Sequence, residues 1–240
     1  EIAQCLVGSE MCIRDRGKTT SDEVTDDGLL QNNEDNSEES NNKTINWSSK
    51  AIVCIDAPHG GSDTGQYDGT NYEKTQMLSL ADSVKNELES AGVTVVMTRT
   101  TDTSVDYTKR IEICNNAKAA ALVSFHRDIT DKSGSSRGIS AWIHTSSPSN
   151  SKSLASDIME ELNGVDVSLS GVNTGTPDNK SKDYYLNQHS KVASCIIELG
   201  NMYSSKDNKL VTTDIDNTAK LIADGIMKYL EQAGYTNGSN

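Results

Sequence analysis

The run Ala51-Ile52-Val53-Cys54-Ile55-Asp56-Ala57-Pro58-His59-Gly60-Gly61 is five small and branched apolar residues that break off at an aspartate and enter a Pro/Gly turn carrying a histidine. An uninterrupted apolar run of that length, closed by turn residues, has the signature of a strand buried on both faces. Such strands belong to sheets whose two faces are covered by helices. Runs of the same kind occur at 93–97, 121–125, 139–143 and 192–197. Helical spacing lies between them. Met77, Leu80, Ala81, Val84, Leu88 and Ala91 fall on one face of a helix that Gly92 stops. Tyr107, Ile111, Cys114 and Ala117 mark a second helix, Leu154, Ala155, Ile158, Met159 and Leu162 a third, and Ile215, Ala219, Ile222, Ile226, Tyr229 and Leu230 the last. The alternation predicts an α/β fold: a single three-layer domain, with a mostly parallel central sheet and helices on both faces. The polar segments 128–137 and 170–182 read as exposed loops.

The chain has 240 residues and a formal net charge of −13. That balance excludes a duplex nucleic acid as partner, which would need a cationic face, and disfavours an anionic membrane surface. The charge is concentrated in residues 17–43, where eight acids stand against Lys18 and Lys43 amid Asn, Ser and Thr. So little apolar surface cannot offset the entropy of ordering, so residues 1–47 are predicted to be a disordered acidic leader. Residues 1–16 resemble translated sequencing-adapter sequence more than protein and are set aside, with the expectation that a native signal or anchor is missing. A catalytic domain is expected over 48–235 and a disordered tail over 236–240. No apolar run approaches the roughly 20 residues that span a bilayer. Cys54, Cys114 and Cys195 each sit inside an apolar stretch and read as small buried hydrophobes, with neither a disulfide nor a zinc site between them.

The chemistry-bearing residues follow the strands. His59 comes just after the first, His126 directly continues Leu122-Val123-Ser124-Phe125, and Glu198 directly continues Cys195-Ile196-Ile197. Ligands bind at the carboxyl ends of strands in open α/β sheets. If these strands are parallel, two histidines and a glutamate converge there, and Glu73, at the start of the first helix, begins at the same rim. Each alone has a plain structural explanation, such as an acid in a first helical turn favoured by the helix dipole. Together, two histidines and one carboxylate form a three-ligand set that leaves zinc a fourth position, with a further carboxylate for proton transfer.

These residues resemble the type 3 family of zinc-dependent N-acetylmuramoyl-L-alanine amidases. The resemblance rests on Asp56-Ala57-Pro58-His59-Gly60-Gly61, Asp63-Thr64-Gly65, Glu73-Lys74, Met97-Thr98-Arg99 with Asp102 and Arg110, Ser124-Phe125-His126, and Glu198-Leu199-Gly200, in the family's order over about 50–231. It implies one Zn2+ ion held by His59, Glu73 and His126, with Glu198 as the catalytic carboxylate. The implied reaction is hydrolysis of the amide between N-acetylmuramic acid and L-alanine in peptidoglycan, at an extracellular or cell-wall location. Arg99, Arg110 and Asn201 are the candidates for substrate contact, although an ion pair of either arginine with Asp102 or Asp106 is an equal expectation. Asp56 and Asp63 are candidates to orient a ligand histidine.

The chain departs from the family pattern at Ala57-Pro58, at Arg127-Asp128, expected to place a charge pair at the rim of the site, and at Asn201-Met202 after Glu-Leu-Gly. His144 and His189 read as residues outside the site. Two rival functions stay open: an inactive relative that binds peptidoglycan or regulates a partner, and a zinc peptidase or deacetylase acting on another amide.

Overall fold

The computed structural model describes residues 44–128 and 132–237. The leader expected at 1–47 falls outside them up to residue 43, as do 129–131 of a predicted loop and 238–240 of the tail. Residues 44–47 belong to the domain instead. Trp47 is buried, its indole N–H donates to the Ala91 carbonyl at 2.9 Å, and it bridges Thr236, while Asn237 N–H donates to the Asn46 carbonyl at 2.8 Å. A lone tryptophan among polar residues has no periodicity to announce its burial.

Six strands, β1 (Ile52–Asp56), β2 (Thr94–Met97), β3 (Ala121–Asp128), β4 (Ile139–Ile143), β5 (Leu169–Thr174) and β6 (Ala193–Asn201), form one sheet in the order β2-β1-β3-β6-β4-β5. All neighbours are parallel except β4 and β6. The predicted fold class therefore holds, with β4 and β5 running opposite to the rest. Five strands coincide with the apolar runs. The sixth, β5, lies in the segment expected to be loop: Leu-Ser-Gly-Val-Asn-Thr is an edge strand, half-buried, and offers too few apolar residues to be read as one.

Alternation along the strands builds two cores. Val53, Ile55, Val123, Phe125, Cys195 and Ile197 face α1 (Glu73–Ser90), α3 (Ser149–Glu161) and α6 (Ile215–Gln232). Cys54, Leu122, Trp142 and Ile196 face the smaller layer made by α2 (Tyr107–Asn116) and α4 (Tyr185–His189). A further short helix, α5 (Ser205–Lys209), follows β6.

The expectation that the cysteines form no disulfide is corrected: Cys54 on β1 is bonded to Cys114 on α2, across a separation of 60 residues. The two lie on facing apolar surfaces of different elements, so no spacing in the sequence reports the pairing. Cys195 is free and buried, and burial pushes its thiol pKa well above its ordinary value.

Candidate active site

After β1 the chain turns through Ala57 and Pro58 to His59, whose φ of 59° is in the left-handed region that few non-glycine residues adopt. Two buried arginines hold this turn. Arg110 donates to the carbonyls of Ala57 (2.6 Å) and His59 (2.7 Å) and to the Asp56 carboxylate (2.8 Å). Arg99 donates to the carbonyls of Ala57 (2.8 Å), Pro58 (2.8 Å) and Lys74 (2.7 Å). A bent backbone with inward-facing carbonyls needs donors where water cannot reach, and a guanidinium supplies five in a fixed fan. Burial would raise the Asp56 carboxyl pKa, but Arg110 and the hydroxyls of Ser124 and Thr98 hold it below the usual carboxylate range.

Arg99 and Arg110 are thus corrected as substrate contacts: at 4% and 3% exposure they position His59. The ion-pair partner of Arg110 is Asp56 rather than Asp102 or Asp106. Asn201 is corrected likewise. It is fully buried, its amide donating to the Ser135 carbonyl at 3.0 Å and its side-chain oxygen accepting from Tyr203 N–H at 2.9 Å. Asp56 acts on the loop through Arg110 and touches no histidine, whereas Asp63 lies 2.9 Å from His59 Nδ1.

Glu73 opens α1 and stands between the two histidines, Oε2 3.2 Å from His59 Nε2 and Oε1 3.1 Å from His126 Nδ1. One ligand atom from each of the three lies within 4.8 Å of the others. Donors about 2.1 Å from a tetrahedral ion sit about 3.4 Å from one another, so the 3.1 and 3.2 Å spacings fit a small divalent metal. Asp63 occupies His59 Nδ1 and leaves Nε2 for the ion, the tautomer that ligation needs.

Burial favours the neutral form of each of these groups, yet the charges prevail. Hydrogen bonds from His126 and His59 hold the Glu73 carboxyl far below its ordinary pKa. Glu73 in turn offsets the burial of His126 and pushes its pKa up to about 9. The site therefore carries a fixed negative charge that protons balance and that a cation can take over.

Gly65, of the Asp-x-Gly motif, is required by this packing. Its φ is +62°, and a Cβ there would lie 2.6 Å from His59 Cδ2 and 2.7 Å from Glu73 Oε2.

Glu198 stands opposite His126 in the register of the parallel pair β3–β6, so both side chains rise from one face of the sheet on adjacent strands. Burial raises its pKa, an effect that His126 and a hydrogen bond from the Tyr184 hydroxyl partly offset. Sequence reasoning missed Tyr184. Its only signal is a pair of tyrosines, 184 and 185, closing a long polar stretch. Together His59, Glu73, His126, Glu198 and Tyr184, with 176–178 on the far wall, line a cavity of about 470 Å³.

The expected Arg127-Asp128 charge pair at the rim does not form. Arg127 follows His126 on β3 and so points to the opposite face, where it is buried and donates to Gln76 (2.7 Å) and Asn208 (2.9 Å). Asp128 pairs instead with Arg137 at 3.3 Å. His144 pairs with Asp183 at 3.3 Å and His189 stacks on Tyr185, both apart from the metal-binding group.

This combination of fold and site has known counterparts. The N-acetylmuramoyl-L-alanine amidase family model (Amidase_3) matches residues 53–228, and the chain belongs to that family. The described domain corresponds to its members' catalytic domain. The solved structure of an N-acetylmuramoyl-L-alanine amidase from Clostridium difficile 630 matches with a TM-score of 0.69 at 28% identity, over 76% of this chain and 98% of that one. The catalytic domain of CwlV from Bacillus (Paenibacillus) polymyxa matches with a TM-score of 0.66 at 27% identity, over 75% of this chain and 98% of that one. Among curated relatives, N-acetylmuramoyl-L-alanine amidase LytC of Bacillus subtilis is 27% identical over 74% of this chain, and the match spans 35% of its length. The probable cell wall amidase LytH of Staphylococcus aureus is 30% identical over 79% of this chain, the match spanning 62% of its length. Among the described residues no helix is long and apolar enough to cross a membrane.

Proposed function

We propose that this protein is a zinc-dependent hydrolase that cleaves the amide between the lactyl group of N-acetylmuramic acid and the L-alanine of the peptidoglycan stem peptide, acting at the cell wall outside the cell. The observation that carries the reading is the pairing of a two-histidine, one-carboxylate set with a separate buried carboxylate in register beside it. Family membership supplies the amide and its polymer. The disulfide supports an oxidising, extracellular setting, because such bonds are rare in reducing compartments.

His59 Nε2, His126 Nδ1 and a Glu73 carboxylate oxygen would hold the zinc ion. The chemistry supplied by zinc when bound is Lewis acidity, which polarises the scissile carbonyl and acidifies the attacking water. Glu198 accepts that water's proton and returns it to the departing alanine nitrogen, without which the amine is a poor leaving group. Its raised pKa suits a group that must hold the proton between those steps. Tyr184 fixes the carboxylate rotamer through its hydroxyl.

The test is digestion of purified peptidoglycan with identification of the released ends. New L-alanine amino termini are expected, lost with a chelator and reduced at least a hundredfold in Glu198→Gln. Intact sugar–peptide linkages after incubation with zinc would sink the proposal, and new ends elsewhere would make it a peptidase or deacetylase.

A further inference from the structure

The active-site cleft does not stop at Glu198. The sheet continues past β6 to β4 and β5, where a second cavity of about 240 Å³ shares Asp128, Pro177 and Glu198 with the first. Its floor is polar. Ser140 is opposite Glu198 in the antiparallel register of β4 and β6, and Trp142, two residues on, faces the same way and donates its indole N–H to Ser140 at 2.9 Å. The polar line of the site thus runs His126, Glu198, Ser140 across three adjacent strands.

Two cations border this extension. Lys180 lies over the Trp142 ring, its ammonium 3.7 Å from the centroid. The turn before it is fixed, since Thr176 N–H donates to the Asn179 carbonyl at 3.2 Å and Asn179 N–H donates to the Thr176 hydroxyl at 3.1 Å. Arg137, its side chain 45% exposed, pairs with Asp128 at 3.3 Å. Its backbone N–H donates at 2.7 Å to Asp207, a fully buried carboxylate that also accepts from Asn201 N–H at 2.8 Å and from the Ser136 hydroxyl.

We infer that this second cavity is a subsite for a carboxylate of the stem peptide, with Lys180 and Arg137 as its specificity-determining residues. The inference rests on the amidase reading and gives the substrate its direction on the sheet. Of the two halves of that substrate, the sugar half is uncharged once its lactyl carboxyl is in the amide, and the peptide half is acidic. The departing nitrogen must also lie towards Glu198, which protonates it, and Glu198 is the wall that the two cavities share. Asp128 already balances Arg137 and Glu198 is an acid of the same wall, so it is Lys180, together with proton delivery from Glu198, that sends the peptide over β4 and β5. The nearest free acid along that path is the α-carboxylate of the γ-linked glutamate that follows L-alanine. A lysine stacked on Trp142 beside it reads whether that group is a carboxylate or an amide.

The experiment compares two defined muropeptides, identical except that this α-carboxylate is free in one and amidated in the other. Wild-type protein is expected to favour the free acid by about tenfold in kcat/KM, the size of one partly exposed charge-assisted hydrogen bond. Lys180→Gln narrows the ratio to about twofold through KM rather than kcat, Lys180→Arg restores it, and Arg137→Gln narrows it partly. Binding of both muropeptides to Glu198→Gln, measured by calorimetry, gives the same ratio without turnover. Equal handling of the two forms by wild type, or a ratio that Lys180→Gln leaves intact, overturns the subsite while the amidase reading stands. If wild type cleaves neither form, the amidase reading fails and the calorimetric ratio alone decides the subsite.

Discussion

Reduction of the Cys54–Cys114 bond should lower the stability of the domain by an amount that its position in the chain fixes. The bond closes a loop of about 60 residues, and the chain-entropy relation gives about 4 kcal/mol for a loop of that length. Little native-state cost is expected to add to this, because both sulfurs lie in an apolar layer where thiols pack as small hydrophobes. The assay is urea unfolding of oxidised and reduced protein, each with zinc. With a slope of about 2 kcal/mol/M for a domain of this size, the midpoint should fall by about 2 M. The melting temperature should fall by about 8–16 °C. The loss should reach catalysis indirectly. Arg110, one helical turn from Cys114 on the same helix, holds the carbonyl of His59, so the reduced protein should lose activity at a lower temperature than the oxidised one. The same reductant should not affect a Cys54→Ala/Cys114→Ala variant. A midpoint change under about 0.3 M, or no peptide containing both cysteines in a non-reducing digest, would refute the reasoning.

Three other outcomes are expected. Gly65→Ala must move His59 or Glu73, so zinc affinity measured by competition with a chelator should fall by tenfold or more, as for other groups that orient metal ligands. Tyr184→Phe removes a hydrogen bond that lowers the Glu198 pKa, so the acid limb of the pH–rate profile should move to higher pH, with kcat reduced. In chelated protein, His126 carries a folded pKa of about 9, above its unfolded value. Its contribution to stability is then complete below about pH 6.5 and lost as pH rises through 9, a decline that thermal melts should show without zinc and not with it.

Much of the site was legible because its residues follow directly on apolar runs in the sequence. A histidine directly continuing Val-Ser-Phe, and a glutamate directly continuing Cys-Ile-Ile, stand near the carboxyl ends of their strands, although β3 runs on to Asp128 and β6 to Asn201, and the Asp-x-Gly and Glu-Leu-Gly motifs supplied the order. Arg99 and Arg110 were misread because an arginine's role depends on which carbonyls lie within its reach, and those belong to a loop some 40 to 50 residues away in sequence. Tyr184 was invisible because its partner, Glu198, is 14 residues away on a different element.

The class of fold, and the four residues that line one cavity, could be read from local apolar period and residue type in the chain alone. That β4 and β5 run against the other strands, that Cys54 meets Cys114, that the Arg127 side chain turns to the opposite face, and that the cleft continues past Glu198 to Lys180 became visible in the packed molecule. Each of those depends on which surfaces come to face one another after the chain packs. Pairing across a sheet or between layers is set by the packing of the whole domain and leaves no spacing in the sequence to report it.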